Sequence, residues 1–223
     1  MRRLSLSLLT LLIALSATAQ RVDIRQLFLS MPQTVMPTLS KERKIDLLTQ
    51  YDAHKEGRIY TLKEIPNSLT STASNIRTLT QDYLELQLDE MSSMQLKVLP
   101  KGWRGYMISI VLTSEVVPWQ SVLIFYDKQW RRLDTSSYFR FPPLAQLMTD
   151  PELLNRNDTK RVLSEVGTLA YSYQWSPTEL LLSTKVTTFD LPLYQKLYPE
   201  AGQWIKPDGV TYQWKRGQLR SQK

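Results

Sequence analysis

The stretch YLELQLDEMSSMQLKVLPKGWRGYMISIVLTSEVVPWQSVLIFYDKQWRRL, Tyr83 to Leu133, decides the fold, because it alternates and turns like a run of β-strands. Leu84, Leu86 and Leu88 alternate with Tyr83, Glu85 and Gln87, the period of two that gives a strand one wet and one buried face. After the turn DEMSS the pattern resumes as Met94, Leu96 and Val98 against Gln95 and Lys97. KGWRG makes a second turn, its glycines supplying backbone freedom. YMISIVLT is then apolar and β-branched on both faces, as a central strand must be. SVLIFYD and QWRRL, separated by Asp127 and Lys128, complete an antiparallel meander.

Working outward, Ile24, Leu27, Phe28 and Met31 form a helical stripe that Pro32 cuts short. Ser40 suits an N-cap for a second helix, with Glu42 in its first turn and Ile45, Leu48 and Tyr51, with Leu47 alongside, as the apolar stripe. NSLTSTAS reads as an exposed loop or edge hairpin before NIRTLT resumes alternation. Beyond the meander, Pro142 and Pro143 mark a boundary, and Leu144, Leu147 and Met148 are spaced for a short helix. Asp158 as a cap begins another that Gly167 ends. TLAYSYQW and TELLLSTKVTT answer each other as a hairpin, LPLYQKLYPE reads as helix, and GVTYQWKRGQL gives a last hairpin arm. The fold class is therefore α+β: an antiparallel β-meander packed by N-terminal helices, with a smaller C-terminal helix-plus-hairpin half.

Composition bounds the function. The 223 residues are 42% hydrophobic, which is globular rather than disordered, and one domain over 20–223 is expected, with halves at 20–140 and 141–223. Arg2 and Arg3, the apolar run LSLSLLTLLIAL and Ala17 and Ala19 read as a signal peptide over residues 1–19. The run is too short to span a membrane, which takes roughly 20 residues. The mature chain thus has no transmembrane segment and is expected to be periplasmic or secreted. Without Arg2 and Arg3, 26 basic residues face 21 acidic ones, a mild +5. Basic residues are scattered apart from the tail WKRGQLRSQK, so no nucleic-acid partner is expected.

No cysteine is present, so disulfides, thiolate nucleophiles and cysteine metal sites are excluded. The single histidine, His54, falls at the end of the second helix, where its role is to meet exposed carbonyls. Zinc sites of His and Cys, serine–histidine catalysis on a GxSxG elbow and glycine-rich phosphate loops all lack their residues. No cofactor or metal is called for. Carboxylate pairs are the remaining catalytic option, because glycoside hydrolysis needs only two acids at the right separation. Asp82, Glu85, Asp89 and Glu90 are near one another, but a wet strand face and its turn need acids for solvation, and Glu85 is placed to pair with Lys97.

Six tryptophans and eleven tyrosines are the stronger hint. Trp103 stands beside Arg104 in the glycine turn, Trp119 follows Pro118, and Trp130 precedes Arg131 and Arg132. Exposed at turns, Trp103, Arg104, Trp119 and Trp130 would stack on a sugar ring or anchor a protein contact. The plainer reading is that the tryptophans plug the ends of the sheet core.

The segments LFLSMPQTVMPTLSKERKIDLL, LTQDYLELQLDEMSSMQLKVL and PWQSVLIFYDKQW, with the tail YQWKRGQL, resemble a family of small exported proteins of unknown function from Gram-negative gut and oral anaerobes. The resemblance covers most of the mature chain and implies export and an α+β domain, with no assigned activity or catalytic residues. Members often carry cysteines before the FYxxxW strand, where this chain has SEVVPWQ, so no thiol role carries over. The reading that follows is a non-enzymatic module binding a protein or a glycan, of unknown oligomeric state. Its rivals are a two-carboxylate carbohydrate hydrolase and a proteinaceous inhibitor of an exported enzyme.

Overall fold

Strand alternation in the central stretch is realised directly. The computed structural model describes residues 22–61, 74–102 and 105–222; the expected signal peptide lies outside them, as does most of the Ser- and Thr-rich loop. β1 (Asn75–Leu79), β2 (Tyr83–Asp89), β3 (Ser92–Pro100), β4 (Tyr106–Ser114), β5 (Gln120–Tyr126) and β6 (Arg132–Leu133) form one antiparallel sheet in sequence order. β4 lies inside that sheet, paired with β3 on one side and β5 on the other, which is why YMISIVLT is apolar on both faces.

One face of this sheet carries the even-numbered residues Leu84, Leu86, Met94, Leu96, Ile108, Ile110 and Ile124, which pack against α1 (Ile24–Ser30) and α2 (Lys41–Lys55). Asp23 caps α1 and Ser40 caps α2, each through a side-chain oxygen that accepts a first-turn N–H. The apolar stripe of α2 differs from expectation, since Ile45 faces solvent while Arg43, Lys44 and Asp46 are buried beside Leu47 and Leu48. Two interactions cause this rotation. Lys44 Nζ donates to the carbonyls of Leu29 and Met31 at the end of α1, and Arg43 Nη1 bonds Asp46 at 3.3 Å. A cation satisfies the carbonyls that a helix leaves unpaired at its C-terminus, and burial pushes the Lys44 ammonium below its usual pKa.

The odd-numbered face meets the C-terminal half. There α3 (Leu144–Leu147) and α4 (Asn157–Val166) precede β7 (Tyr171–Trp175) and β8 (Leu181–Val186). The short helices α5 (Pro192–Leu197) and α6 (Ala201–Trp204) lead to β9 (Val210–Lys215) and β10 (Gln218–Ser221). The last segment is a hairpin in its own right, and β9 pairs with β8 to close a four-stranded antiparallel sheet ordered β10-β9-β8-β7. Asp158 lies in the first turn of α4 rather than at its cap, where it accepts from Thr159 N and Arg156. Tyr83, Leu99, Met107, Val111, Leu123 and Phe125 of the first sheet share one core with Trp175, Leu182, Tyr212 and Trp214 of the second.

Trp175 fastens the two sheets. It is fully buried, its indole Nε1 donates to Ser109 Oγ at 2.9 Å, and its backbone N–H donates to Gln95 Oε1 at 2.8 Å. Lys97, also fully buried, pairs with Asp82 at 3.1 Å, donates to the Pro177 carbonyl and sits 5.6 Å over the Tyr83 ring. The expected Glu85–Lys97 pair is therefore absent. The register sets Glu85 opposite Gln95 and Lys97 opposite Tyr83, which hands Lys97 to Asp82 at the strand entry. Replacing Trp175 with Phe removes the indole donor and leaves Ser109 buried without it, so the urea-unfolding free energy should fall by about 2–4 kcal/mol.

Candidate functional site: a cleft between the sheets

The odd-numbered face is not apolar along its whole length. Towards the β4–β5 turn, Tyr83, Leu99 and Met107 give way to Glu85, Gln87, Ser93, Gln95, Thr113 and Ser121. Polar side chains offer the second sheet no hydrophobic gain for closing over them, and the sheets part into a cleft of about 530 Å³. Glu85, Ser93, Gln95 and Thr113 line it from the first sheet, and Ser172, Tyr173 and Gln174 of β7 line it from the second. Trp119 reaches it from the β4–β5 turn, Arg77 from β1, and the exposed Lys185 and Asp190 stand at its rim. The turn itself is tied to the second sheet, because Thr187 Oγ1 donates to the Trp119 carbonyl.

The electrostatics centre on Arg77. Its guanidinium grips Glu115 in a two-pronged pair, Nη1 to Oε1 at 2.8 Å and Nη2 to Oε2 at 3.0 Å, while Glu85 Oε1 stands 3.8 Å from the same Nη1. Gln87 Nε2 adds a 3.4 Å bond to Glu115, and Tyr83 OH donates to Glu85 at 3.2 Å. Burial alone would raise the Glu115 carboxyl, but Ser93, Arg77 and Gln87 outweigh it and hold the group below the ordinary glutamate range. Burial and the nearby Glu85 carboxylate keep the Tyr83 phenol protonated far above neutral pH, and burial with neighbouring Tyr171 pushes Tyr173 up to about 12. At neutral pH the cleft therefore presents an ionised Glu115 gripped by a guanidinium, neutral phenols and amides.

Gln95 stands out among these groups. It is only 5% exposed and its Oε1 is occupied by Trp175, yet its Nε2 donates to no described residue. The N–H pair of a nearly buried amide is thus left for whatever enters the cleft.

Of the four residues expected at a binding site, Trp119 alone among the described ones reaches this cleft, with 49% of its surface exposed. Trp103 and Arg104 lie outside the described residues. Trp130 belongs to the other face: held at φ 63°, it packs 5.9 Å from the Tyr126 ring and donates from its indole to Ser30 of α1 at 3.4 Å, covering the helix side of the sheet. The candidate acids also separate. Asp82 is paired with Lys97, Asp89 orders the β2–β3 turn through Met91 N and Ser92 Oγ, Glu90 is exposed, and only Glu85 faces the cleft. Its companion Glu115 escaped the sequence reading although strand parity carried the signal, because 107, 109, 111, 113 and 115 fall on one face of β4 and its extension. His54 sits exposed in the last turn of α2, as expected. Among the described residues no group of three His, Asp or Glu is placed to hold a metal, and no helix is long and apolar enough to cross a membrane.

Compared with known proteins, residues 14–219 match the model of a family described as protein of unknown function (DUF3256). A solved structure, described as a domain of an uncharacterized protein from Porphyromonas gingivalis W83, is similar with a TM-score of 0.71 at 18% identity, over 90% of this chain and 99% of that one. At that identity the likeness is one of fold. No curated protein matches the chain.

The pairing of Glu115 carries a pH signature. A carboxyl whose folded pKa is depressed adds stability above its unfolded value near 4.5, and that stability is lost as pH falls through the lower folded value. Wild type should therefore lose more stability than Glu115→Gln between about pH 6 and pH 3, read as the shift in urea midpoint of each protein.

Proposed function

We propose, for a chain that belongs to this family of proteins of unknown function, a non-catalytic binding module that seats its ligand in the cleft between the two sheets. The observation that carries the reading is the pairing of Glu85 and Glu115 with Arg77 beside an exposed indole: these two acids are already answered within the protein, while Trp119 and the Gln95 amide are not. Such a site offers recognition without a reactive group.

The rival hydrolase has one observation in its favour, since Glu85 and Glu115 face the same cleft. Two-carboxylate hydrolysis needs one acid held protonated to serve the leaving group. Glu115 is held the other way, below the ordinary glutamate range, and its carboxylate is already gripped by Arg77. The leader-like residues 1–19 support export to the periplasm or the exterior. Mass spectrometry of the protein purified from an expressing Gram-negative cell should then give a mature chain beginning at Gln20; retention of residues 1–19 would overturn export.

The binding reading is tested with polysaccharide and protein fractions of a Gram-negative anaerobe's envelope. A saturating ligand stabilises the folded state by about 2.7 kcal/mol at a hundredfold excess over Kd, so at least one fraction should raise the melting temperature of wild type by several degrees and leave Trp119→Ala unmoved. A shift that persists in Trp119→Ala, or no shift with any fraction, counts against the cleft. Cleavage of a fraction component that disappears in Glu85→Gln or Glu115→Gln would make the protein an enzyme.

A further inference from the structure

The lining of the cleft selects among ligand chemistries. Arg77 and Lys185 face Glu85, Glu115 and Asp190, a near balance with one acid in excess, and the Arg77 charge is spent on Glu115. A phosphate or carboxylate, which only accepts, would meet three carboxylates with a single rim cation to answer it. An ammonium, which only donates, would be received by the carboxylates but would leave the Gln95 N–H groups without an acceptor. A hydroxyl does both. It accepts from Gln95 Nε2 and donates to Glu85 or Asp190 in the same pose, without bringing a charge into a half-buried site.

The second requirement is set by Trp119. Its indole is 49% exposed at the mouth of a cleft whose side chains are mostly of polar types, so a ligand with an apolar face next to its hydroxyls suits the site. A pyranose ring does this, with C–H bonds on one face and hydroxyls around the rim. The cleft volume of about 530 Å³ falls within the range of about 300–1,000 Å³ typical of small-ligand sites. We infer that the ligand is a neutral oligosaccharide, with one ring stacked on Trp119 and its hydroxyls bonded by Gln95 and the acids of the cleft. The inference rests on the cleft being the binding seat and deepens it by naming the ligand class.

Calorimetric titration of the mature protein with maltotriose, cellotriose, mannotriose and chitotriose, and with trigalacturonate as the anionic comparison, tests it. At least one neutral trisaccharide should bind saturably. Its affinity should change by less than about threefold between about 50 and 500 mM salt, because no ligand charge is there to be screened. Trp119→Ala should weaken binding at least about tenfold, or 1.4 kcal/mol. The side chain is exposed, and an unchanged urea midpoint verifies that the variant is folded. Preference for trigalacturonate with a steep salt dependence would overturn the neutral assignment, and so would the absence of binding by every trisaccharide. If a protein fraction of the envelope still stabilises wild type through Trp119 while no sugar binds, the cleft remains the seat and its occupant is a peptide. If nothing acts through Trp119, the seat and the sugar fall together.

Discussion

Trp175 and the two polar side chains that receive its N–H groups form a fastening point between the sheets, within the core they share. Trp175 is fully buried, and both of its N–H groups are bonded to the facing strands, to Ser109 of β4 and to Gln95 of β3. Each partner gains as much as it gives. Ser109 and Gln95 are inward-facing polar side chains on a sheet surface, which would weigh against folding if left dry and unpaired. The large apolar body of Trp175 joins the common core in the same placement. Hydrophobic gain and polar satisfaction are thus delivered at one point, and the strands on either side take their spacing from it.

Because the fastening point lies part of the way along the strands, the two ends of the shared face have different fates. On the side of Tyr83, Leu99 and Met107 the sheets close into a core. On the side of Glu85, Ser93 and Thr113 they remain apart, and the acids there are neutralised by a residue from the edge strand, Arg77, instead of by the second sheet. The cleft is a consequence of the polar pattern on β2, β3 and β4 rather than an addition to the fold. Buried Lys97 marks the boundary, with Asp82 and the Pro177 carbonyl as its partners.

Much of this was legible in the order of residues. Period-two alternation located β2 to β5, and the doubly apolar YMISIVLT identified β4 as an internal strand. Ser40 and Pro32 delimited the helices. What could not be read depended on long-range contacts. Ile45 belongs to a plausible apolar stripe, but the stripe turns outward because Lys44 finds the carbonyl end of α1, a partner no local pattern announces. Trp130 resembles an exposed anchor next to two arginines, yet Tyr126 and Ser30 draw it onto the helix side. Glu115 looks like part of a turn until strand parity is extended past Ser114. The cleft brings together residues from β1 to β8, and no contiguous stretch contains more than a fraction of it.

The hydrogen bond from Thr187 to the Trp119 carbonyl has a consequence for how the chain can vary in length. Hairpin tips are ordinarily where added residues are absorbed without harm. The tip between β4 and β5 is anchored at Glu115 by Arg77 and at Trp119 by Thr187, so its span is measured from both ends. An extra residue there would slide the indole past the mouth of the cleft while leaving every strand pair intact. Length at this tip is therefore constrained by the contacts that shape the cleft and not by strand pairing, the reverse of the usual division of labour between a sheet and its loops.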